Sequence, residues 1–198
     1  MQSDRVKARI LIVEDESIVA FDLSSRLEAM GFKVIGIASN GVTAIEIAKK
    51  ELPDMVLMDI MLGGEIDGIE TAKKINESNF IPVIYLTAYS DPGTLERAKL
   101  SEPFGYILKP FEEQELRSTI EMALYKYTIE KKLKESEERY RIIAEQTGQL
   151  VYEYDIESGK IYWTGAIYDV TGYTFEEYKD KDITAWENSI HPDDREKT

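Results

Sequence analysis

Apolar residues in the first half of the chain come in short blocks, each cut off by a polar group. Ile10-Leu11-Ile12-Val13 is apolar throughout and stops at Glu14-Asp15-Glu16. A run apolar on both faces predicts a strand buried within a parallel sheet. Ile18, Val19, Phe21, Leu23, Leu27 and Met30 follow at near-helical spacing, closed by Gly31. Val34 to Ala38 reads as a second strand. Val42, Ala44, Ile45, Ile47 and Ala48 mark a second helix, with Pro53 beyond its end. Met55 to Met58 is a third strand ending at Asp59, and the helix after Gly68 carries Ile69, Ala72 and Ile75. Ile81 to Leu86 is a fourth strand ending at Thr87, followed by a helix over roughly 94–100. Tyr106-Ile107-Leu108 is a fifth strand ending at Lys109-Pro110, and a long helix begins near Glu112.

Five strand–helix units within about 125 residues predict an α/β domain with a doubly wound, five-stranded parallel sheet. Such sheets carry their sites beyond the carboxyl ends of the strands. Those ends are Glu14 and Asp15, then Asp59, Thr87 and Lys109. Three carboxylates, a hydroxyl and a lysine on neighbouring strands suit phosphoryl-group chemistry. Carboxylate oxygens suit Mg²⁺ or Mn²⁺, and an ammonium takes a phosphoryl oxygen. A carboxylate can itself be the nucleophile and become an aspartyl phosphate. Gly63-Gly64 lacks the lysine and spacing of a phosphate-cradling loop, so the segment is not built to hold ATP.

Composition narrows the partners. The 198 residues carry a net charge of −14, spread as −8 over 1–125 and −6 over 126–198. No basic face is available for nucleic acid or an anionic membrane surface. There is no cysteine, and the single histidine is His191. Thiolate metal sites and multi-histidine centres are excluded. No apolar run approaches the ~20 residues that span a bilayer. The polar N-terminus is no signal peptide, so a cytoplasmic protein is expected.

The segments Ile-Leu-Ile-Val-Glu14-Asp15-Glu16, Val-Leu-Met-Asp59-Ile-Met-Leu, Tyr-Leu-Thr87-Ala88-Tyr89 and Gly-Tyr106-Ile-Leu-Lys109-Pro110-Phe111 together resemble a response-regulator receiver domain of two-component signalling, with its flavodoxin-like fold. The resemblance runs from about Ala8 to Tyr125. It implies Asp59 as phosphoryl acceptor and Asp15 as a Mg²⁺ ligand, with Glu14 assisting through water and the Met61 backbone carbonyl completing the protein ligands. Thr87 would bond a phosphoryl oxygen and Lys109 would pair with the phosphoryl group. Tyr106 would swing inward with Thr87 as the aromatic switch, although an aromatic beside a strand end also suits simple packing. Family members often carry Asp where this chain has Glu14. Met61 and Tyr89, two residues past Asp59 and Thr87, flank the route of attacking water in this fold. Both are bulky and lack a carboxamide, which implies slow self-dephosphorylation, unless they merely cover the site. The glycine-rich loop 62–68 turns the chain toward the next helix or gates the acceptor.

From Glu112 to about Gln146 there is neither Pro nor Gly. Leu116, Ile120, Ala123 and Tyr127 fit a face packed on the receiver. Ile129, Leu133, Ser136, Tyr140 and Ile143 then run at spacings of 4, 3, 4 and 3, a short coiled-coil seam. Residues 126–147 are therefore expected to form a helical connector, either packed on its own domain or dimeric. The resemblance adds a homodimer through the surface of the fourth helix, fifth strand and fifth helix. Beyond it, Leu150 to Asp155 and Lys160 to Thr164 flank the turn Glu157-Ser158-Gly159 as a hairpin. Short helices are expected over 167–171, 174–179 and 183–189. Glu138-Arg139-Tyr140-Arg141, Tyr154-Asp155, Gly172-Tyr173-Thr174 and Ile190-His191-Pro192-Asp193-Asp194-Arg195 resemble the first half of an α+β PAS sensor domain. A full PAS domain has three more strands, so residues 148–198 are expected to be a partial one, without a ligand. Lack of cysteine excludes a cysteinyl–flavin adduct there. His191 is expected at a turn or cap, and Tyr162 and Trp163 in the core.

Taken together, the chain is expected to be a phosphorylation-controlled signalling module. A sensor histidine kinase or phosphotransfer protein would supply Asp59, and the switch would pass through the connector to the PAS segment. The alternative is a phosphorylation-independent receiver-like adaptor or dimerisation module that keeps the fold for binding alone; such members usually lose the acceptor, the acidic pair or the lysine, and this chain retains all three. A haloacid-dehalogenase-like phosphatase needs a second Asp two residues after its nucleophile, where this chain has Met61. No output enzyme is legible here; a histidine kinase as continuation rests on analogy alone.

Overall fold

The computed structural model describes residues 8–77, 79–88, 92–99 and 101–189. Tyr89 and His191 lie outside the described residues. The chain divides into two compact units, Met1–Glu130 and Lys131–Thr198.

In the first unit, strands and helices alternate as β1 (Arg9–Val13), α1 (Ser17–Ala29), β2 (Lys33–Ala38), α2 (Gly41–Glu51), β3 (Met55–Asp59), α3 (Gly68–Asn76), β4 (Val83–Thr87), α4 (Pro92–Lys99) and β5 (Gly105–Leu108), and α5 (Glu113–Gln146) begins in it. The strands form one parallel sheet in the order β2-β1-β3-β4-β5. Both faces are covered, which is why β1, β3 and β4 are apolar up to the polar residues at their ends. Leu11, Val13, Val56, Met58 and Tyr85 meet residues of α2, α3 and α4 on one face. Ile10, Ile12, Leu57, Ile84 and Ile107 meet α1 and the start of α5, through Leu23, Leu27, Leu116 and Ile120, on the other. The doubly wound sheet is thus present as expected.

Two features of the pattern mislead at α1 and β4. Leu23, Leu27 and Ala20 are the buried face of α1, whereas Ile18 is 87% exposed and Phe21 also faces solvent. β4 starts at Val83 rather than Ile81, because Pro82 has no N–H to give a ladder; its carbonyl still accepts from Val56 N–H at 2.9 Å. Gly31 closes α1 at φ +94°, a conformation that costs other residues. Gly68 begins α3 for a different reason. A Cβ there would lie 1.9 Å from the carbonyl oxygen of Asp59.

In the second unit, β6 (Leu150–Asp155) and β7 (Lys160–Gly165) form an antiparallel hairpin, followed by α6 (Ile167–Thr171), α7 (Phe175–Tyr178) and α8 (Ile183–Ser189). Ile161, Trp163, Ile167 and Tyr178 form a small core, with Leu150, Ile183 and Trp186 against it. The Trp163 indole N–H donates to the Lys181 carbonyl at 2.9 Å. Tyr162 departs from expectation: it is exposed, because strand alternation puts it on the face opposite Trp163. Among the described residues no helix is long and apolar enough to cross a membrane.

Candidate functional site

The carboxyl ends of β1, β3, β4 and β5 are neighbours in the sheet, and they gather the polar groups that interrupt the apolar runs. Asp59 ends β3 and is level with Leu86 of β4. Lys109 follows β5, held by its N–H donating to the Thr87 carbonyl at 2.8 Å. Glu14 follows β1, its N–H donating to Ala38 at 2.9 Å. All three side chains come to one point. Lys109 Nζ donates to Glu14 Oε2 at 2.6 Å and to Asp59 Oδ2 at 2.7 Å. Asp59 Oδ1 accepts from the Met61 N–H at 3.0 Å, and Asp15 Oδ2 from the Gly63 N–H at 3.0 Å. Each of Glu14, Asp15 and Asp59 offers an oxygen within 4.8 Å of the others.

Glu14 and Asp59 are buried and Asp15 is exposed, so the cluster opens on one side. Burial lifts the Glu14 carboxyl above its ordinary range; the hydrogen bond from Lys109 opposes this, and the nearby Asp59 charge adds to it. Burial disfavours the Lys109 ammonium, yet its hydrogen bonds to Asp59 and Glu14 outweigh that and hold its pKa up. One cation therefore serves two buried carboxylates. A hard divalent cation would suit the three-carboxylate donor set better than a single ammonium does.

Thr87 is buried, its hydroxyl 3.5 Å from the Ala88 carbonyl. Tyr106 is half-buried, its ring centroid 5.9 Å from that of Tyr85. Its hydroxyl is buried with no hydrogen-bond partner among the described residues. Tyr85 is fully buried and its hydroxyl lies 2.8 Å from Ser101 Oγ, which donates to the Ala98 carbonyl at 2.7 Å. Burial, only partly offset by that bond to Ser101, pushes the Tyr85 phenol up to about 12. The Met61 side chain is 66% exposed.

The sequence patterns left several of these contacts unread. Asp67 caps α3 by accepting from the Glu70 N–H at 2.8 Å and pairs with Arg97 of α4 at 2.7 Å. Burial alone would raise the Asp67 carboxyl, but the Glu70 N–H and Arg97 hold it below its ordinary value. The capping was legible as an Asp directly before a helical pattern. The direct Lys109–Glu14 bond spans 95 residues and left no local trace.

Comparison with known proteins agrees with this geometry. Residues 10–121 match the model of the response regulator receiver domain, and residues 160–198 match a PAS fold model. The transcriptional regulatory protein PdtaR of Mycobacterium tuberculosis is 35% identical over 122 residues, covering 62% of this chain and 59% of PdtaR. YrkP of Bacillus subtilis, named an uncharacterized transcriptional regulatory protein, is 37% identical over 134 residues, covering 68% of this chain and 57% of YrkP. The chain thus spans somewhat more than half the length of these relatives. Among solved structures, the signal receiver domain of a modulated diguanylate cyclase from Desulfovibrio desulfuricans G20 is 40% identical with a TM-score of 0.61, covering 63% of this chain and 98% of that one. The N-terminal domain of a response regulator/sensory box/GGDEF protein from Carboxydothermus hydrogenoformans is 37% identical with a TM-score of 0.58, covering 62% and 98%. With the receiver match extending over more than half of its residues, this chain belongs to the response regulator receiver domain family and carries a PAS-fold segment after it.

Proposed function

We propose that the first unit is a phosphorylation-controlled switch in a two-component phosphorelay, with Asp59 as the phosphoryl acceptor. The observation that carries this reading is the convergence of Asp59, Glu14, Asp15 and Lys109 at adjacent strand ends. A carboxylate oxygen of Asp59 attacks the phosphorus of a phosphohistidine on a sensor kinase or phosphotransfer protein. The P–N bond breaks, and its electron pair returns to the imidazole nitrogen, which takes up a proton. Lys109, already bonded to Asp59, pairs with the incoming phosphoryl oxygens, and the Thr87 hydroxyl donates to another. Glu14, Asp15, Asp59 and the Met61 carbonyl would hold Mg²⁺ or Mn²⁺. When bound, that cation supplies positive charge against the phosphoryl oxygens.

Thr87 and Tyr106 then carry the switch. The unpartnered Tyr106 hydroxyl supports this, since a buried polar group without a partner favours any rearrangement that gives it one. Met61 and Tyr89 tune the lifetime of the acyl phosphate. Ile18, Pro110 and Phe111 lie beside Lys109 around an apolar hollow and would meet the donor protein. The switched state passes along α5 to the PAS segment within a homodimer joined through the α4-β5-α5 face and the connector. The response regulator/sensory box order in the Carboxydothermus protein's name supports a receiver feeding a sensory module.

Acetyl phosphate with Mg²⁺ tests the reading. A gain of one phosphoryl mass, absent in Asp59→Ala, is expected; no gain by a folded parent protein would instead indicate an adaptor that keeps the fold for binding alone.

A further inference from the structure

The connector half of α5 leaves an apolar stripe uncovered. Leu133 is 58% and Tyr140 71% exposed, and Ile129 and Ile143 are exposed as well. With half-buried Ser136 between them, these positions follow the 4-3-4-3 spacing of a heptad seam. In heptad terms Leu133 and Tyr140 take the a positions; Ile129, Ser136 and Ile143 take d. Met122, one heptad before Ile129, is exposed too.

The charges beside this stripe indicate what covers it. Several charged residues of this stretch pair along the helix: Lys126 with Glu130 at 3.6 Å, and Arg141 with Glu138 and Glu145 at 2.6 Å each. Lys132, Glu137 and Arg139 have no ion pair within the chain among the described residues. Lys132 and Arg139 occupy g positions; Glu130 and Glu137 occupy e positions. In a parallel two-stranded coil, g of one helix meets e of the next heptad on the other. Lys132 then faces Glu137 of the second copy, twice by symmetry. In an antiparallel coil g faces g and e faces e, setting Lys132 and Arg139 together and the glutamates together. Like charges so placed disfavour that arrangement.

We propose that the connector is covered by a second copy of this chain, as a parallel, in-register coiled coil with Lys132–Glu137 pairs across it. This rests on the homodimer reading above and adds its orientation and register. A parallel coil is isologous about a two-fold axis and puts both receiver units at the same end of the pair.

The chain has no cysteine, so single substitutions report position directly. Ile129→Cys and Ile143→Cys variants of the 198-residue chain, with different tags, are oxidised singly and as a mixture, beside a Glu135→Cys control on the outer face. Circular dichroism confirms folding of each. The proposal expects each seam variant to cross-link to itself much faster than the control, with no disulfide between the two variants in the mixture. Lys132→Glu slows the self-cross-linking several-fold, and adding Glu137→Lys restores it. Cross-linking only between Ile129→Cys and Ile143→Cys would show an antiparallel coil and overturn the inference. Dimers by sedimentation without seam cross-links would overturn it while leaving the homodimer reading in place. A monomer across all accessible concentrations would remove both.

Discussion

Replacing Lys109 by methionine keeps much of the side chain's length and apolar stem but removes the one ammonium that touches both Glu14 and Asp59. Those contacts are 2.6 and 2.7 Å, and the two carboxylates are almost wholly withdrawn from water. Removing one partner of a buried pair costs about 3–5 kcal/mol, because a charge is left buried without compensation. Here two charges are left, and at an effective dielectric of about 20 two like charges some 4 Å apart repel by about 4 kcal/mol. The loss has a ceiling, since Glu14, already lifted by burial, can take up a proton. We therefore expect a loss of about 3 kcal/mol at neutral pH, or a fall of about 1–2 M in the urea midpoint. The assay should follow far-UV circular dichroism for the receiver. Trp163 and Trp186, the two tryptophans of the chain, both lie in the second unit and report it separately. Adding Glu14→Gln to Lys109→Met should recover a large part of the loss. Mg²⁺ should stabilise Lys109→Met more than the parent. An unchanged receiver midpoint in Lys109→Met would refute the claim that this ammonium neutralises the cluster.

Two further outcomes follow from the packing around the site. Gly68→Ala places a methyl 1.9 Å from the Asp59 carbonyl oxygen, backbone against backbone; it should destabilise the receiver by roughly 1–3 kcal/mol, as overpacking does, and slow phosphorylation by acetyl phosphate. Tyr85 ionises at its ordinary value near 10 when unfolded and near 12 when folded. Its stabilising contribution is therefore intact below pH 10 and lost progressively toward pH 12, amounting to at most about 2–3 kcal/mol; urea unfolding across that range should show a shallower pH dependence for Tyr85→Phe than for the parent.

What could be read from the residues followed their burial. β1, β3 and β4 are covered on both faces, so each appears as an unbroken apolar run whose end marks a site residue. The carboxyl-end rule then brought Glu14, Asp15, Asp59, Thr87 and Lys109 to one edge of the sheet without coordinates. α1 was less transparent. Its apolar residues extend beyond the buried stripe, so the periodicity marks the helix without marking its buried face; Ile18 lies exposed beside Lys109 and Phe21 is exposed as well. Tyr162 was misplaced for the converse reason: neighbouring aromatics on a strand face opposite ways, and only Trp163 faces the helices. The interactions with the largest sequence separation were invisible. Nothing local to Glu14 announces Lys109, nothing in Gly68 announces the Asp59 carbonyl, and the Tyr85–Ser101 bond depends on how α4 ends. The charge on the chain also reads differently once folded, since Glu14 and Asp59 are not surface groups at all.

The central claim is that Asp59 carries the phosphoryl group, and borohydride trapping addresses it at the level of the residue. An acyl phosphate is reduced to the alcohol, which converts aspartate to homoserine at the modified position alone. After treatment with acetyl phosphate and Mg²⁺, then borohydride, peptide mass spectrometry should find homoserine at residue 59, and none when either acetyl phosphate or the cation is omitted. Homoserine at another carboxylate with residue 59 unmodified, in a protein shown to be folded, would contradict the account.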